Sequence, residues 1–214
     1  MVTHSKFQKI IMNNILTITL NPALDRIVRS PHSRRGRDNG VADIMVSAGG
    51  KGINVARALR NLDVNVRAIG ISAGVGGKAL EACLLDEGIR SEWCHVKGET
   101  RVNTTVMGPR DPSPTRFLEP GPEVGSLELK SFQKLYARAV NGADRVVLCG
   151  SLPPSVPSGF YAELIRFAKK RGKETFLDTS GEALKASLCS APFCIKPNRA
   201  EAEYALGMKL DSNR

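Results

Sequence analysis

The sequence lacks any apolar run that reaches the roughly 18 residues needed to span a bilayer. Its polar, basic N-terminus also lacks the apolar core of a secretory signal, so we expect residues 1–14 to form a disordered extension. Met12 is as good a candidate start as Met1, in which case residues 1–11 precede the translated chain. These absences favour a cytoplasmic protein with no membrane partner.

Paired cysteines and aromatic residues are also scarce. The five cysteines include no CxxC pair, and their odd number argues against a disulfide framework and for a reducing cytosol. Aromatics make up only 5% of the chain, too few for a platform that stacks single-stranded nucleic acid. Zinc-ligand spacing is absent too. The net charge of +10 therefore favours a solvated basic face or a phosphorylated small substrate, and we expect no nucleic-acid partner.

Apolar, strand-like runs alternate along the chain with segments of helical periodicity. This alternation predicts an α/β fold with a mostly parallel sheet covered by helices on both faces. Ligands of such sheets bind beyond the carboxyl ends of the strands. Two interruptions, at residues 26–47 and 93–119, contain short alternating segments and predict an antiparallel flap beside the main sheet. The predicted strands are 15–20, 64–70, 145–150, 174–178 and 193–196, and the predicted helices are 53–61, 77–88, 126–143, 158–172 and 198–207.

Two glycine clusters precede predicted helices. "AGGKGIN" (48–54) places glycines where a ligand can approach the backbone at a helix N-terminus. It is not a Walker A loop, because Met45 and Gly52 stand where that motif needs a glycine and a Ser or Thr. "GVGGKA" (74–79) matches a dinucleotide fingerprint, but its strand does not open the fold. A tight connecting loop is the favoured interpretation of this second cluster.

Polar residues follow several predicted strands. Asp25 in "NPALD" suits sugar hydroxyls or is a surface acid, and Arg101 in "GETRVN" suits a phosphate or is a solvated strand residue. In "KPNRAEAE", Lys196 could neutralise a phosphate and Glu201 could contact magnesium through water. A capping box between Asn198 and Glu201 is the alternative for that pair.

The order of NPALD, GGKGIN, TRVN, GSLPP, LDTSG and KPNRAE resembles the phosphofructokinase B family of ribokinase-like sugar kinases. Within it, the sequence is most similar to the 1-phosphofructokinase and tagatose-6-phosphate kinase branch, from Ile15 to about Met208. The resemblance implies a three-layer α/β/α sandwich with a small β lid. It also implies ATP- and Mg²⁺-dependent phosphorylation of a sugar phosphate, most simply of fructose 1-phosphate to fructose 1,6-bisphosphate.

The resemblance carries site roles onto matching positions of this chain. Lys51 and Arg101 would hold the substrate phosphate, and Glu201 would reach the metal through water. A homodimer formed through the lid is a further expectation, alongside sugar phosphate and ATP as partners. The residues implied around the sugar are Asp25, Gly49, Gly50, Asn54, Asn103 and Ser151, and those implied at the nucleotide are Lys196, Asn198 and Glu201.

The second signature of this family, a Gly-Ala-Gly-Asp stretch with the general base, does not occur in the sequence. We therefore expect residues 15–214 to be an incomplete kinase domain, with the catalytic base beyond Arg214, and the chain alone to be inactive. Two alternatives stay open, a non-catalytic sugar-phosphate-binding paralogue and a degraded gene product. The residues do not separate fructose 1-phosphate from tagatose 6-phosphate.

Overall fold

A computed structural model describes residues 14–31, 36–108 and 113–210 of the chain. The extension expected over residues 1–14 lies outside these ranges except for Asn14, whose backbone N–H donates to the Asp144 carboxylate. The strands are β1 (Ile15–Thr19), β2 (Ala23–Arg29), β3 (Asp43–Gly49), β4 (Val66–Ala73), β5 (Arg90–Val96), β6 (Arg101–Met107), β7 (Thr115–Leu118), β8 (Arg145–Cys149), β9 (Glu174–Asp178) and β10 (Cys194–Ile195). The helices are α1 (Lys51–Asn61), α2 (Gly74–Asp86), α3 (Ser126–Asn141), α4 (Phe160–Lys169), α5 (Gly181–Leu188) and α6 (Arg199–Leu206).

The main sheet has six strands in the order β10-β9-β8-β1-β4-β5, and every neighbouring pair is parallel. Its central strands are continuous apolar runs because helices cover both faces. Leu16, Ile18 and Leu20 of the first strand–loop segment belong to a core cluster shared with α3 and α4. Helices α1 and α2 pack on the opposite face in a second cluster that contains Ile53 and Leu80. The expected three-layer α/β/α sandwich is thus confirmed.

A second sheet of four strands, in the order β3-β2-β6-β7, forms the lid. Its pairing is mixed, because β2 and β6 run parallel while β3 and β7 pair antiparallel to their neighbours, so the expectation of an antiparallel flap was wrong. The lid boundaries at residues 26 and 93 also need correction. The first lid strand begins at Ala23, and residues 93–96 belong to β5, which pairs with β4 in the main sheet.

Most predicted elements form within a few residues of their expected ends. Three were missed: β2, α5 and the first part of β5. Residues 23–29, "ALDRIVR", form a strand although charged residues interrupt their apolar pattern. No helix among the described residues is long and apolar enough to cross a membrane.

Candidate functional site

Loops and side chains collect where β1, β8, β9 and β10 end, at the carboxyl edge of the main sheet. Helix α1 starts at the same edge, since its first residue, Lys51, reaches Asp178 at the end of β9. Gly50 caps this helix with φ 133°, a backbone conformation that favours glycine. Its missing side chain also matters, because a Cβ there would lie 2.8 Å from Thr19 Cγ2.

Two lysines share one carboxylate at this edge. Lys51 Nζ donates to Asp178 Oδ1 at 2.8 Å, and Lys196 Nζ lies 3.5 Å from Asp178 Oδ2. The sequence analysis assigned these lysines to different phosphates and did not select Asp178. Partial burial acts to lower the pKa of Lys51, but the hydrogen bond and charge of Asp178, aided by Glu201, outweigh it and raise that pKa. Lys51 is therefore a cation at neutral pH.

Asn198 and Glu201 form the capping box at the start of α6. Asn198 Oδ1 accepts from the backbone N–H of Glu201, and Glu201 Oε2 accepts from the backbone N–H of Asn198, both at 2.9 Å. The structural alternative weighed for this pair is thus present. It leaves Glu201 Oε1 without a donor among the described residues, and Glu201 is close enough to Lys51 to raise its pKa. The charge of Glu201 therefore still acts on Lys51.

Asp25, Asn103 and Gly49 meet where the lid joins the main sheet. Asp25 and Asn103 are register partners on β2 and β6, and Asn103 Nδ2 donates to Asp25 Oδ1 at 3.0 Å. A Cβ built on Gly49 would lie 2.2 Å from Asp25 Oδ2, so only glycine leaves room for this carboxylate. The structure thus brings together three of the residues that the sequence analysis placed around a sugar.

Asn54 lies one turn into α1, on its exposed side. Its backbone N–H donates to the Gly50 carbonyl at 2.9 Å, which closes the first turn of the helix. Its side-chain oxygen accepts from Arg57 Nη1 at 2.7 Å. Asn54 and Lys51 therefore project from the same helix start, near the glycine loop.

Arg101 binds the backbone at the base of the lid. Its guanidinium donates to the carbonyls of Asn21 (2.9 Å), Pro22 (3.3 Å) and Glu119 (3.3 Å). Burial lowers the pKa of Arg101, and the nearby charge of Asp25 opposes that shift. Three of its five N–H groups join the turn after β1 to the segment that leaves β7, so the residue braces the lid and has two donors left.

Ser151 follows β8 and contacts a residue that the sequence analysis did not select. Its Oγ accepts from Asn21 Nδ2 at 3.3 Å, and the same Nδ2 donates to the Pro120 carbonyl at 2.9 Å. Asn21 is buried. It belongs to the "NPALD" motif, from which the sequence analysis selected only Asp25. The signal was its position as the second residue after β1, which lies at the edge where ligands bind.

The second glycine cluster holds a side chain of this protein at the start of α2. The carboxylate of Glu99 accepts from the backbone N–H groups of Val75 (3.3 Å) and Gly76 (3.1 Å). A Cβ on Gly74 would collide with that carboxylate at 2.1 Å. Residues 74–79 belong to α2, which follows β4 directly, so the expected connecting loop was wrong. The N-terminus of this helix is already occupied by an anion of the protein itself.

Comparison with proteins of known structure and family gives consistent results. Residues 15–214 match the model of the pfkB family carbohydrate kinases. The tetrameric inhibited form of phosphofructokinase-2 from Escherichia coli superposes with a TM-score of 0.87 at 31% identity, over 94% of this chain and 66% of that one. The same enzyme in complex with fructose-6-phosphate gives the same values.

A possible 1-phosphofructokinase from Thermotoga maritima matches with a TM-score of 0.83 at 33% identity, over 94% of this chain and 65% of that chain. This chain thus spans slightly less than two thirds of the length of these structures. The family match covers nearly every described residue, including all of the site described above. The chain therefore belongs to the pfkB family of carbohydrate kinases.

Proposed function

We propose that the chain provides the sugar-phosphate-binding part of an ATP-dependent kinase that phosphorylates fructose 1-phosphate to fructose 1,6-bisphosphate. The observation that carries the proposal is the convergence of two groups on one edge of the main sheet. One group is the Asp25–Asn103 pair against Gly49, and the other is the Lys51–Asp178–Lys196 cluster. The first suits hydroxyl groups, and the second suits phosphates.

In this proposal, Asp25, Asn54 and Asn103 hold the sugar hydroxyls, with Gly49 and Gly50 giving access to the backbone and Ser151 at the border. Lys51 holds the phosphate of the substrate. Its hydrogen bond to Asp178 keeps the ammonium charged and extended over the site until a phosphate replaces the carboxylate. Arg101 would bind the same phosphate with its two remaining N–H donors. Its contribution to binding would be smaller than that of a guanidinium with all five donors free.

Lys196, Asn198 and Glu201 would lie against the nucleotide, which when bound supplies the phosphoryl group that is transferred. No three His, Cys, Asp or Glu side chains cluster as a metal cage within the described ranges. Mg²⁺ is usually held by one or two carboxylates together with substrate phosphates and water, so the single carboxylate of Glu201 would suit contact with this ion through water. Lys196 would neutralise phosphate charge at the same edge.

The proposal includes inactivity of the 214-residue chain by itself. Its sequence has no Gly-Ala-Gly-Asp stretch, which in this family carries the general base. A chain without that base binds substrate but has no group to accept the proton of the attacking hydroxyl.

Self-association through the lid is part of the same proposal. Its strands carry large apolar side chains that are well exposed, among them Met45 at 51%, Phe117 at 61% and Leu118 at 69%. These side chains lie on the two edge strands of the lid, β3 and β7, and exposed apolar edge strands are prone to pair with another chain. We also propose a cytoplasmic location, because the five cysteines are free thiols.

Titration calorimetry with fructose 1-phosphate tests the binding role. We expect saturable binding by the natural chain and at least a tenfold rise in Kd for Lys51→Ala, since an ammonium–phosphate pair is lost. Lys134→Ala is the matched control, because Lys134 is an exposed lysine on α3, outside the site. An equal loss in both variants, or no binding by the natural chain, would contradict the proposal.

A further inference from the structure

Arg57 lies on α1, one turn after Asn54, and none of the roles considered above involves it. Its guanidinium makes four short hydrogen bonds. Two go to the carboxylate of Glu87, from Nε at 2.7 Å and from Nη2 at 2.8 Å. The other two go to Asn54 Oδ1, from Nη1 at 2.7 Å, and to the Ala48 carbonyl, from Nη2 at 2.9 Å.

These partners lie on three separate segments. Asn54 belongs to the same helix, Ala48 precedes the glycine loop, and Glu87 directly follows the last residue of α2. A planar guanidinium suits this task, since its donors point in fixed directions and bind a carboxylate with two parallel bonds. The hydrogen bonds to Glu87 are the main cause that raises the pKa of Arg57, so the group stays charged.

The bond to Asn54 determines which way that amide points. An asparagine side chain has an acceptor oxygen on one side and a donor NH₂ on the other, whereas arginine has donors only. Arg57 can therefore bind only the Oδ1 side of Asn54. The NH₂ group is left facing away from Arg57, and none of the residues that the structure describes accepts a hydrogen bond from it.

We propose that Arg57 is a positioning residue for sugar-phosphate binding. It fixes Asn54 so that the Nδ2 group is presented as a donor to a sugar hydroxyl, and it holds the Ala48 carbonyl so that Gly49 and Gly50 keep their place. This role rests on the proposed function, since it takes Asn54 as a sugar ligand. Glu87 anchors the arrangement from α2, outside the site.

The variants that test this role are Arg57→Met, Asn54→Ala and the double variant. Arg57→Lys is a second form that retains an ion pair with Glu87 but lacks the branched donor arms, in case the Met variant folds poorly. Arg60→Met is the matched control. Arg60 is another arginine of α1 and is exposed, whereas Arg57 is partly buried. It donates to the Gly88 carbonyl at 3.2 Å, so it contacts the same loop without touching the site.

The first measurement needs no ligand. Nuclear magnetic resonance relaxation gives the order parameter of the Asn54 side-chain amide, which falls as the group becomes more mobile. We expect a rigid amide in the natural chain and in Arg60→Met, and a flexible one in Arg57→Met and Arg57→Lys. An amide that stays rigid in both Arg57 variants overturns the proposal, whatever the binding data show.

The second measurement is titration calorimetry with fructose 1-phosphate and, separately, with ATP. Arg57→Met should raise the Kd for the sugar phosphate about tenfold, equivalent to about 1.4 kcal/mol, and leave the Kd for ATP unchanged. In the Asn54→Ala background, Arg57→Met should raise the Kd for the sugar phosphate threefold or less, because the two residues act through one contact. If Arg57 only stabilised the local structure, Arg57→Met would weaken the binding of both ligands, and its effect would add to that of Asn54→Ala. That result would overturn the positioning role.

The outcomes separate this inference from the proposed function. If the natural chain binds no fructose 1-phosphate, the proposed function fails, and the role of Arg57 in sugar binding fails with it. If the natural chain binds but Arg57→Met binds equally well despite a mobile Asn54 amide, only the role of Arg57 is refuted.

Discussion

Helix α1 packs against β1 so closely that no side chain fits at Gly52. Replacing this glycine should therefore destabilise the protein. A Cβ at Gly52 would lie 2.4 Å from Thr19 Oγ1 and 2.7 Å from the Ile18 carbonyl oxygen. Ordinary contacts of this kind are 3.4–4 Å, so the shortfall is about 1 Å. Because one of the two atoms is main chain of a central strand, the helix must move when Gly52 becomes Ala.

The cost follows from two opposing terms. Overpacking of a dense interior destabilises by about 1–3 kcal/mol, and the upper part of that range applies where backbone must shift. Alanine returns at most about 1 kcal/mol through its better helix propensity. We therefore expect Gly52→Ala to lower the free energy of unfolding by about 1–2 kcal/mol. For a chain of this length that is a fall in Tm of about 2–8 °C.

Urea unfolding followed by circular dichroism measures this change. Gly159→Ala is the matched control, because Gly159 has φ −75° and a Cβ there meets no atom within 4 Å. It should stay within about 0.5 kcal/mol of the natural chain. Equal stability of the two variants would refute the claim that α1 contacts β1 too closely at Gly52 to admit a side chain.

Three further predictions concern single groups. Burial, with the charge of Asp178, raises the pKa of the Cys149 thiol to about 12, so iodoacetamide at pH 8 should label exposed Cys189 and Cys194 but not Cys149, as mass spectrometry would show. Backbone N–H groups lower the pKa of Glu128 from 4.5. The natural chain should therefore be more stable than Glu128→Gln above pH 4.5, and this difference in the free energy of unfolding should disappear as the pH falls below that value. A difference that does not depend on pH would contradict this. Tyr161→Phe should lower the free energy of unfolding by about 1–3 kcal/mol, because the buried hydroxyl shares its single hydrogen between the carbonyls of Cys149 and Gly150; an unchanged midpoint in urea would argue against this bond.

The main sheet could be predicted from sequence because its strands are buried on both faces. Short segments with an apolar centre, such as residues 145–149 and 174–178, are typical of buried parallel strands when they alternate with helical patterns. The lid was harder to predict from sequence, because both of its faces are partly exposed and its strands mix apolar with polar residues. In β2, Arg26 and Arg29 interrupt the apolar pattern, and the strand pairs on one side with β6, more than 70 residues away.

Site residues could be found from motif order, but their contacts could not. Nothing local indicates that Lys51 binds Asp178, 127 residues away, or that the donors of Arg101 are largely taken by backbone carbonyls. The parallel topology creates the first contact, by placing the end of β9 opposite the start of α1. Arg57 was missed for a similar reason, since its partner Glu87 lies 30 residues away, directly after the last residue of another helix.

The central claim is that this chain binds a sugar phosphate without turning it over. Phosphorus nuclear magnetic resonance on a mixture of the 214-residue chain, MgATP and fructose 1-phosphate tests both parts in one sample. The account predicts that the chain shifts or broadens the fructose 1-phosphate resonance and that no fructose 1,6-bisphosphate forms over hours. An unperturbed resonance would contradict binding, and the appearance of the bisphosphate would contradict the predicted lack of a catalytic base.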